Sequence, residues 1–223
     1  ILPSSTIKEL KKSGKSTARQ YPKATVLFTD FVNFTSISEK TRPTELLEQL
    51  NYYFSEFDDI IGDYYLEKIK TIGDAYMAAS GVPIRNTFNP VFACLAALKL
   101  NEFIQRRIAS DKTDAWQIRI GVHTGPVVAG IVGKKKYQYD IWGDTVNTAS
   151  RLEGKSMPGK INISSKTYEY VKPYFNCTFR GELEVKNKGM VEMYFLNSIK
   201  KRYSDPENHN IPNQKFKEIL FKH

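Results

Sequence analysis

Apolar positions in this chain fall into short β-rich runs separated by two longer stretches with helical spacing. Ala24–Asp30 is a β-branched and aromatic run closing on an acidic residue, and it reads as a buried strand. Between Thr44 and Asp63, Leu46, Leu47, Leu50, Tyr53, Phe54, Phe57, Ile60 and Ile61 recur at helical spacing, which predicts a helix with one apolar face. Pro43 stands near its start, where a missing N–H does no harm. Leu66–Ile72 and Ala75–Gly81 read as strands joined at the tight-turn dipeptide Gly73-Asp74. Phe88–Ala109 is a second helix on Val91, Phe92, Leu95, Leu98, Phe103 and Ile104, and Trp116–Thr124 returns to a strand.

That order is β-α-β-β-α-β, so the expected class is α+β with a ferredoxin-like core. Additional elements follow it: short strands near Val127–Val132 and Tyr137–Trp142, a helix from Asp144 to Glu153, and a strand at Lys160–Ile163. A short helix near Lys166–Val171 and a hairpin of Asn176–Val185 with Val191–Asn197 complete the body. Residues 1–22 read as a polar lead-in, residues 23–197 as one domain, and residues 198–223 as a basic polar tail.

Composition narrows the function classes. With 223 residues, 41% hydrophobic and 26% charged, the chain suits one large globular domain and excludes disorder for most of its length. The net charge of +9 invites a nucleic-acid or anionic-membrane partner, until the charge is located. Residues 1–23 carry six basic and one acidic side chain, and residues 198–223 carry six and three, which leaves +1 for residues 24–197. The near-neutral body argues against a nucleic-acid module.

Cys94 and Cys177 show no paired spacing, so neither a disulfide framework nor a zinc site is indicated, and a reducing compartment fits. His123, His209 and His223 are scattered. No apolar run approaches the roughly 18 residues a membrane span needs; Val91–Leu100 comes nearest and is amphipathic. The chain opens on Ile1 rather than Met, as expected for a piece of a longer protein. The expectation is a cytoplasmic domain, with any membrane contact made by regions outside this chain.

Topology points to where chemistry collects. In a ferredoxin-like sheet the first and third strands are antiparallel neighbours, so the end of one lies beside the start of the other. Asp30 closes the first and Asp74 sits in the turn opening the third, so two carboxylates distant in sequence should converge on one sheet edge. Such a pair suits Mg²⁺ or Mn²⁺, which take oxygen ligands and share them with substrate phosphates. Taken singly, Gly73-Asp74 is also an ordinary hairpin turn and Asp30 an ordinary helix cap. Beside Asp30, the run Phe31-Val32-Asn33-Phe34-Thr35 leads into a helical turn whose backbone N–H groups would favour a phosphate, or it is capped locally by Asn33 or Thr35.

The segments LFTDFVNFT, EKIKTIGDAYMAASG, IRIGVHTGPVVAGIVG and YQYDIWGDTVNTASRLE occur in this order. Together they resemble the catalytic domain of class III nucleotidyl cyclases, the adenylate and guanylate cyclase homology domain, over about residues 22–197. The resemblance implies two Mg²⁺ or Mn²⁺ ions per active site at Asp30, Phe31 and Asp74, and phosphate contacts along Phe31, Val32, Asn33, Phe34 and Thr35. It matches the base-reading lysine and its acidic partner to Lys70 and Asp140, and the transition-state asparagine and arginine to Asn147 and Arg151. A phosphate-binding lysine matches Lys186, with Lys188 beside it. The family often has Gly where this chain has Asn33, a residue that tolerates left-handed backbone.

The guanylate members resemble this chain but carry Glu and Cys at the positions of Lys70 and Asp140. Adenine presents an N6 donor and an N1 acceptor, to which aspartate and lysine are complementary, whereas guanine reverses that polarity. The implied activity is adenylate cyclase: the ribose 3′-OH of ATP attacks the α-phosphate, giving 3′,5′-cyclic AMP and pyrophosphate. The implied assembly is a head-to-tail C₂ homodimer, one subunit giving the aspartates and the other Lys70, Asp140, Asn147, Arg151 and Lys186. A guanylate cyclase and a silent regulatory domain are the rival readings. His123 is read as structural, Lys134-Lys135-Lys136 as a solvated loop tip, and Trp142 as core or dimer interface.

Overall fold

The longest apolar run becomes the centre of the sheet. In the computed structural model, which describes residues 2–13, 17–110, 115–185 and 188–221, β1 (Arg19–Phe31) is buried along most of its length. It pairs antiparallel with β3 (Ala75–Ser80) on one side and with β4 (Ile118–Val132) on the other. β2 (Leu66–Ile72) lies outside β3, and β6 (Ile161–Ser164), β8 (Gly189–Ile199) and β7 (Phe175–Val185) extend the sheet beyond β4. β5 (Gln138–Trp142) pairs with β4, completing an eight-stranded sheet among the described residues. The β4–β6 pair is parallel. The α+β class and the antiparallel adjacency of first and third strands match the expectation from element order.

Helices cover the two faces unequally. α3 (Pro43–Asp63), α4 (Asn89–Ser110) and α6 (Ser165–Val171) pack on one face around Leu27, Phe57, Tyr76, Leu95, Ile118 and Ile120. α4 carries a near-continuous buried stretch from Asn89 to Leu98, because it lies between the sheet and its helical neighbours. The other face holds Val26, Phe28, Met77 and Ile141, and is covered by α5 (Asp144–Gly154) with Leu2 from the segment before α1 (Ser4–Ser13). α2 (Phe34–Lys40) is a short turn between β1 and α3.

Two elements differ from the sequence pattern. Gly125-Pro126 suggests a break between two strands, yet β4 runs through it. β1 shifts register between Tyr21 and Ala24 opposite this point, so the absent Pro126 N–H interrupts a bulge rather than a regular ladder. The stretch read as a polar tail folds back on the domain. α7 (Gln214–Phe221) buries Phe216 and Leu220 in the main core, and the Phe216 ring stacks at 5.2 Å on Tyr174 and lies 5.0 Å from Tyr203. Asn213 supports its start, its side chain accepting from the Phe216 N–H at 3.0 Å. Phe216→Ala should therefore cost about 3–5 kcal/mol in chemical denaturation, as for other buried aromatic truncations. A loss below about 1 kcal/mol, within the range of surface substitutions, would mean that α7 is not part of the cooperative unit.

Candidate active site

Strand register sets the first constellation. Thr29 of β1 lies opposite Tyr76 of β3, so Asp30 comes beside the turn that holds Asp74. That turn needs left-handed backbone at Gly73, with φ at 62°. The Asp74 carboxyl is pushed up to about 6, first by burial and next by the negative charge of Asp30. Among the described residues no group of three or more His, Cys, Asp or Glu side chains is arranged to hold a metal ion. A mutually repelling aspartate pair fits a small hard cation that takes one or two carboxylates and fills its remaining positions with substrate oxygens.

The residues after Asp30 divide their roles. The Phe31 ring is buried against Trp116 at 5.0 Å and Tyr53 at 5.2 Å, which leaves its backbone as the part able to serve the sheet edge. Val32 donates its N–H to the Gln117 carbonyl at 2.8 Å, so the chain leaves the sheet only after it. Asn33 then adopts the left-handed conformation, φ 58°, that glycine would take freely, and its side chain makes no capping bond to α2. Phe34 packs edge-on against Trp116 at 5.7 Å, and Thr35 is exposed.

Two further charges belong to this cluster. Arg119 of β4 lies opposite Asp30, and its Nη2 donates to Asp30 Oδ2 at 2.7 Å while its Nε donates to Glu153 Oε1 at 2.9 Å. Glu153 is reached because α5 lies directly on β4: a Cβ at Gly121 would fall 2.1 Å from the Glu153 backbone nitrogen. Burial and then the charge of Asp30 push the Glu153 carboxyl up to about 7, opposed by Arg119. Neither Arg119 nor Glu153 stands out from sequence spacing alone. The available signal was the alternation Ile118-Arg119-Ile120-Gly121-Val122, which turns Arg119 away from the three apolar side chains and onto the face that α5 covers.

A second pair lies elsewhere on the sheet. Lys70 of β2 donates to Asp140 Oδ2 of β5 at 2.5 Å, and Asp140 Oδ1 accepts the Ile141 N–H at 2.8 Å. Asp140 is therefore held from both oxygens and is itself buried. A cavity of about 840 Å³ opens beside Lys70, lined also by Leu2, Ile69, Lys136, Tyr137 and Tyr139, a size suited to a small-molecule ligand.

α5 supplies a third set. Asn147 is exposed and Arg151, one turn on, is half-buried, while Thr148, Ala149 and Leu152 face the sheet. Among the described residues neither the Asn147 nor the Arg151 side chain makes a hydrogen bond or ion pair. Lys186 lies outside the described residues. Lys188, its neighbour in the motif, forms an ion pair with Asp144 at the start of α5. His123 shares a hydrogen bond between Nδ1 and Ser164 Oγ at 2.7 Å, and burial followed by the charges of Lys166 and Lys188 lowers it to about 4. Neutral and tied to β6, it is a structural polar group. No helix among the described residues is long and apolar enough to cross a membrane.

Comparison with known proteins identifies the family of the domain. Residues 16–198 match the family described as the adenylate and guanylate cyclase catalytic domain. The chain is 40% identical over 200 residues to atrial natriuretic peptide receptor 2 of Homo sapiens, covering 88% of this chain and 19% of the receptor. It therefore spans about a fifth of that relative's length. Among solved structures it resembles the guanylate cyclase domain of RhGC from Catenaria anguillulae, in complex with GTP. There the TM-score is 0.77 and the identity 36%, covering 82% of this chain and 100% of the other. It resembles equally the adenylyl cyclase CyaB of P. aeruginosa, with TM-score 0.77 and 30% identity over 83% and 98% of the two chains. A match along most of its length, shared motifs and a shared fold make this chain a member of the adenylate and guanylate cyclase catalytic domain family.

Proposed function

We propose that this domain is an adenylate cyclase, converting ATP to 3′,5′-cyclic AMP and pyrophosphate at sites shared between two copies in a head-to-tail dimer. The observation that carries the choice of base is the Lys70–Asp140 pair, 2.5 Å apart, with the second Asp140 oxygen fixed by the Ile141 N–H. A cation and an anion held at those positions offer adenine N1 a donor and its N6 amino group an acceptor. Guanine would meet the same two groups with both polarities reversed, leaving buried partners unpaired.

The remaining residues fit the same reaction. Asp30 and Asp74 would hold two Mg²⁺ or Mn²⁺ ions, with the Phe31 backbone beside them. Such ions, once bound, acidify the ribose 3′-hydroxyl and offset triphosphate charge. From α5, Arg151 would meet charge building on the α-phosphoryl group and Asn147 would orient the ribose. That both side chains are unengaged among the described residues supports their serving a site completed by a second copy. Trp142 and Val128, opposite one another on β5 and β4 and 40% and 36% exposed, give the subunit apolar surface that a dimer contact would use.

Three outcomes test this reading. Lys70→Glu combined with Asp140→Cys should lower the ATP-over-GTP preference in kcat/KM by about tenfold or more, and an unchanged preference would remove the base-reading roles. Asp74→Ala and Arg151→Ala chains, each inactive alone, should recover about a quarter of parental activity when mixed equally, since half the dimers then hold one intact site. If subunit exchange is demonstrated and nothing returns, the sites are not shared. The third concerns the aspartate pair without metal. Because Asp74 is raised from its ordinary 3.8 to about 6, the folded protein loses stability as pH climbs through that interval. Asp74→Asn, which mimics the protonated form, should melt higher than the parent at pH 8 in chelator, with the gap narrowing between pH 6 and pH 4. Identical melting curves at pH 8 would mean that neither burial nor the charge of Asp30 penalises the ionised Asp74 carboxyl.

A further inference from the structure

Arg119 stands between two carboxylates, one of them a metal-site residue in the reading above, on which this inference rests. Its Nη2 bonds Asp30 at 2.7 Å and its Nε bonds Glu153 at 2.9 Å, so the guanidinium is shared. Glu153 is the more enclosed partner, its side chain 11% exposed against 23% for Asp30. Its position is fixed from the backbone: with no Cβ at Gly121, α5 sits so close that the Ala149 carbonyl and the Glu153 nitrogen occupy the space a side chain would need. One residue earlier, the Leu152 carbonyl accepts from Asn162 Nδ2 of β6 at 2.8 Å, which fixes the end of α5 to the sheet.

Charge counting gives this fork a purpose. Asp30, Asp74 and Glu153 with Arg119 set three carboxylates against one guanidinium, leaving two negative charges when all are ionised. Without Glu153 the guanidinium would be hydrogen-bonded to Asp30 alone, and one negative charge would remain once Asp74 is counted. A divalent cation arriving there would then have to displace a full, partly buried Arg–Asp ion pair.

We propose that Glu153 is a positioning residue for the metal site: it supplies Arg119 with a counter-ion of its own and so keeps Asp30 available to a divalent cation. It touches neither substrate nor metal, and acts through Arg119. The isosteric Glu153→Gln keeps a hydrogen-bond acceptor for Nε while removing the charge, so the local packing is retained.

Direct Mn²⁺ binding decides the matter, followed by electron paramagnetic resonance on nucleotide-free protein at pH 8, with thermal melting as a check on folding. Glu153→Gln should raise the Mn²⁺ dissociation constant about three- to tenfold. Arg119→Met combined with Glu153→Gln removes one charge of each sign, and should bind Mn²⁺ within about twofold of the parent. A purely structural salt bridge predicts the opposite order, with the double variant at least as impaired as the single. Parental affinity in folded Glu153→Gln, or a double variant weaker than the single, would overturn the proposal. Should the single variant fail to melt cooperatively, the double variant carries the test alone, and an affinity tenfold below the parent overturns it. Asp74→Ala separates the two levels of inference. If the parent binds Mn²⁺ and Asp74→Ala does not, the metal site stands whatever Glu153 does; if the parent binds none, the site and this role for Glu153 fall together.

Discussion

β1 is pinned on both edges, with Thr29 opposite Tyr76 on β3 and Asp30 opposite Arg119 on β4. This double register places one carboxylate between a second carboxylate and a guanidinium. It is held by the residues on either side of Asp30 in the strand, where Leu27 and Phe31 point into one core and Val26 and Phe28 into the other. A slip of one residue would exchange those faces and turn Asp30 toward the aromatic cluster around Phe31. The apolar alternation of β1 thus fixes the position of its charged end, and the hydrophobic cores on either face are what make that register costly to leave.

The approach of α5 to β4 at Gly121 is the second constraint. Because one short helix carries Asn147 and Arg151 on its open side and Glu153 on its buried side, any shift of α5 moves both sets together. Glu153 reaches through Arg119 to Asp30, so the helix bearing the transition-state candidates is bonded to the edge bearing the metal candidates. On the proposed dimeric reading those two sets serve different active sites. The Glu153–Arg119–Asp30 chain is then a physical connection between the two sites within one subunit, made of two charge-assisted hydrogen bonds rather than a long path of side-chain packing.

Much of this was legible in the sequence, and the boundary of legibility has physical causes. The β-α-β-β-α-β order and the Gly73-Asp74 turn were enough to bring Asp30 and Asp74 together, because both follow from local pattern and a topology rule. Arg119 was not found that way. Its partner depends on the register between β1 and β4, which no local pattern reports, and on the rotation of α5, which Gly121 sets by having no side chain. α7 was hidden for another reason. Its apolar residues Phe216, Ile219, Leu220 and Phe221 span barely two turns, too short for a sustained periodic signal, yet Phe216 meets an aromatic cluster with Tyr174 and Tyr203 already assembled elsewhere. Gly125-Pro126 misled for a third reason: the partner strand supplies the bulge that accommodates the proline.

Three cations near the candidate site share a condition that Arg151 does not. Lys70 is held by Asp140, Arg119 by Asp30 and Glu153, and Lys188 by Asp144. A cation meant to meet a phosphate or a base edge must wait, in the absence of ligand, in a place that is partly removed from water. A solvated resting position would require flexible reorganisation at each encounter, and an unpaired buried one would destabilise the fold. Pairing these three with carboxylates of the same chain avoids both. On the adenylate reading the consequence reaches specificity. A base that satisfies Lys70 and Asp140 together replaces one paired state by another, whereas a base of reversed polarity opens the pair and satisfies neither member. Discrimination then resides in the pairing already present before the nucleotide arrives.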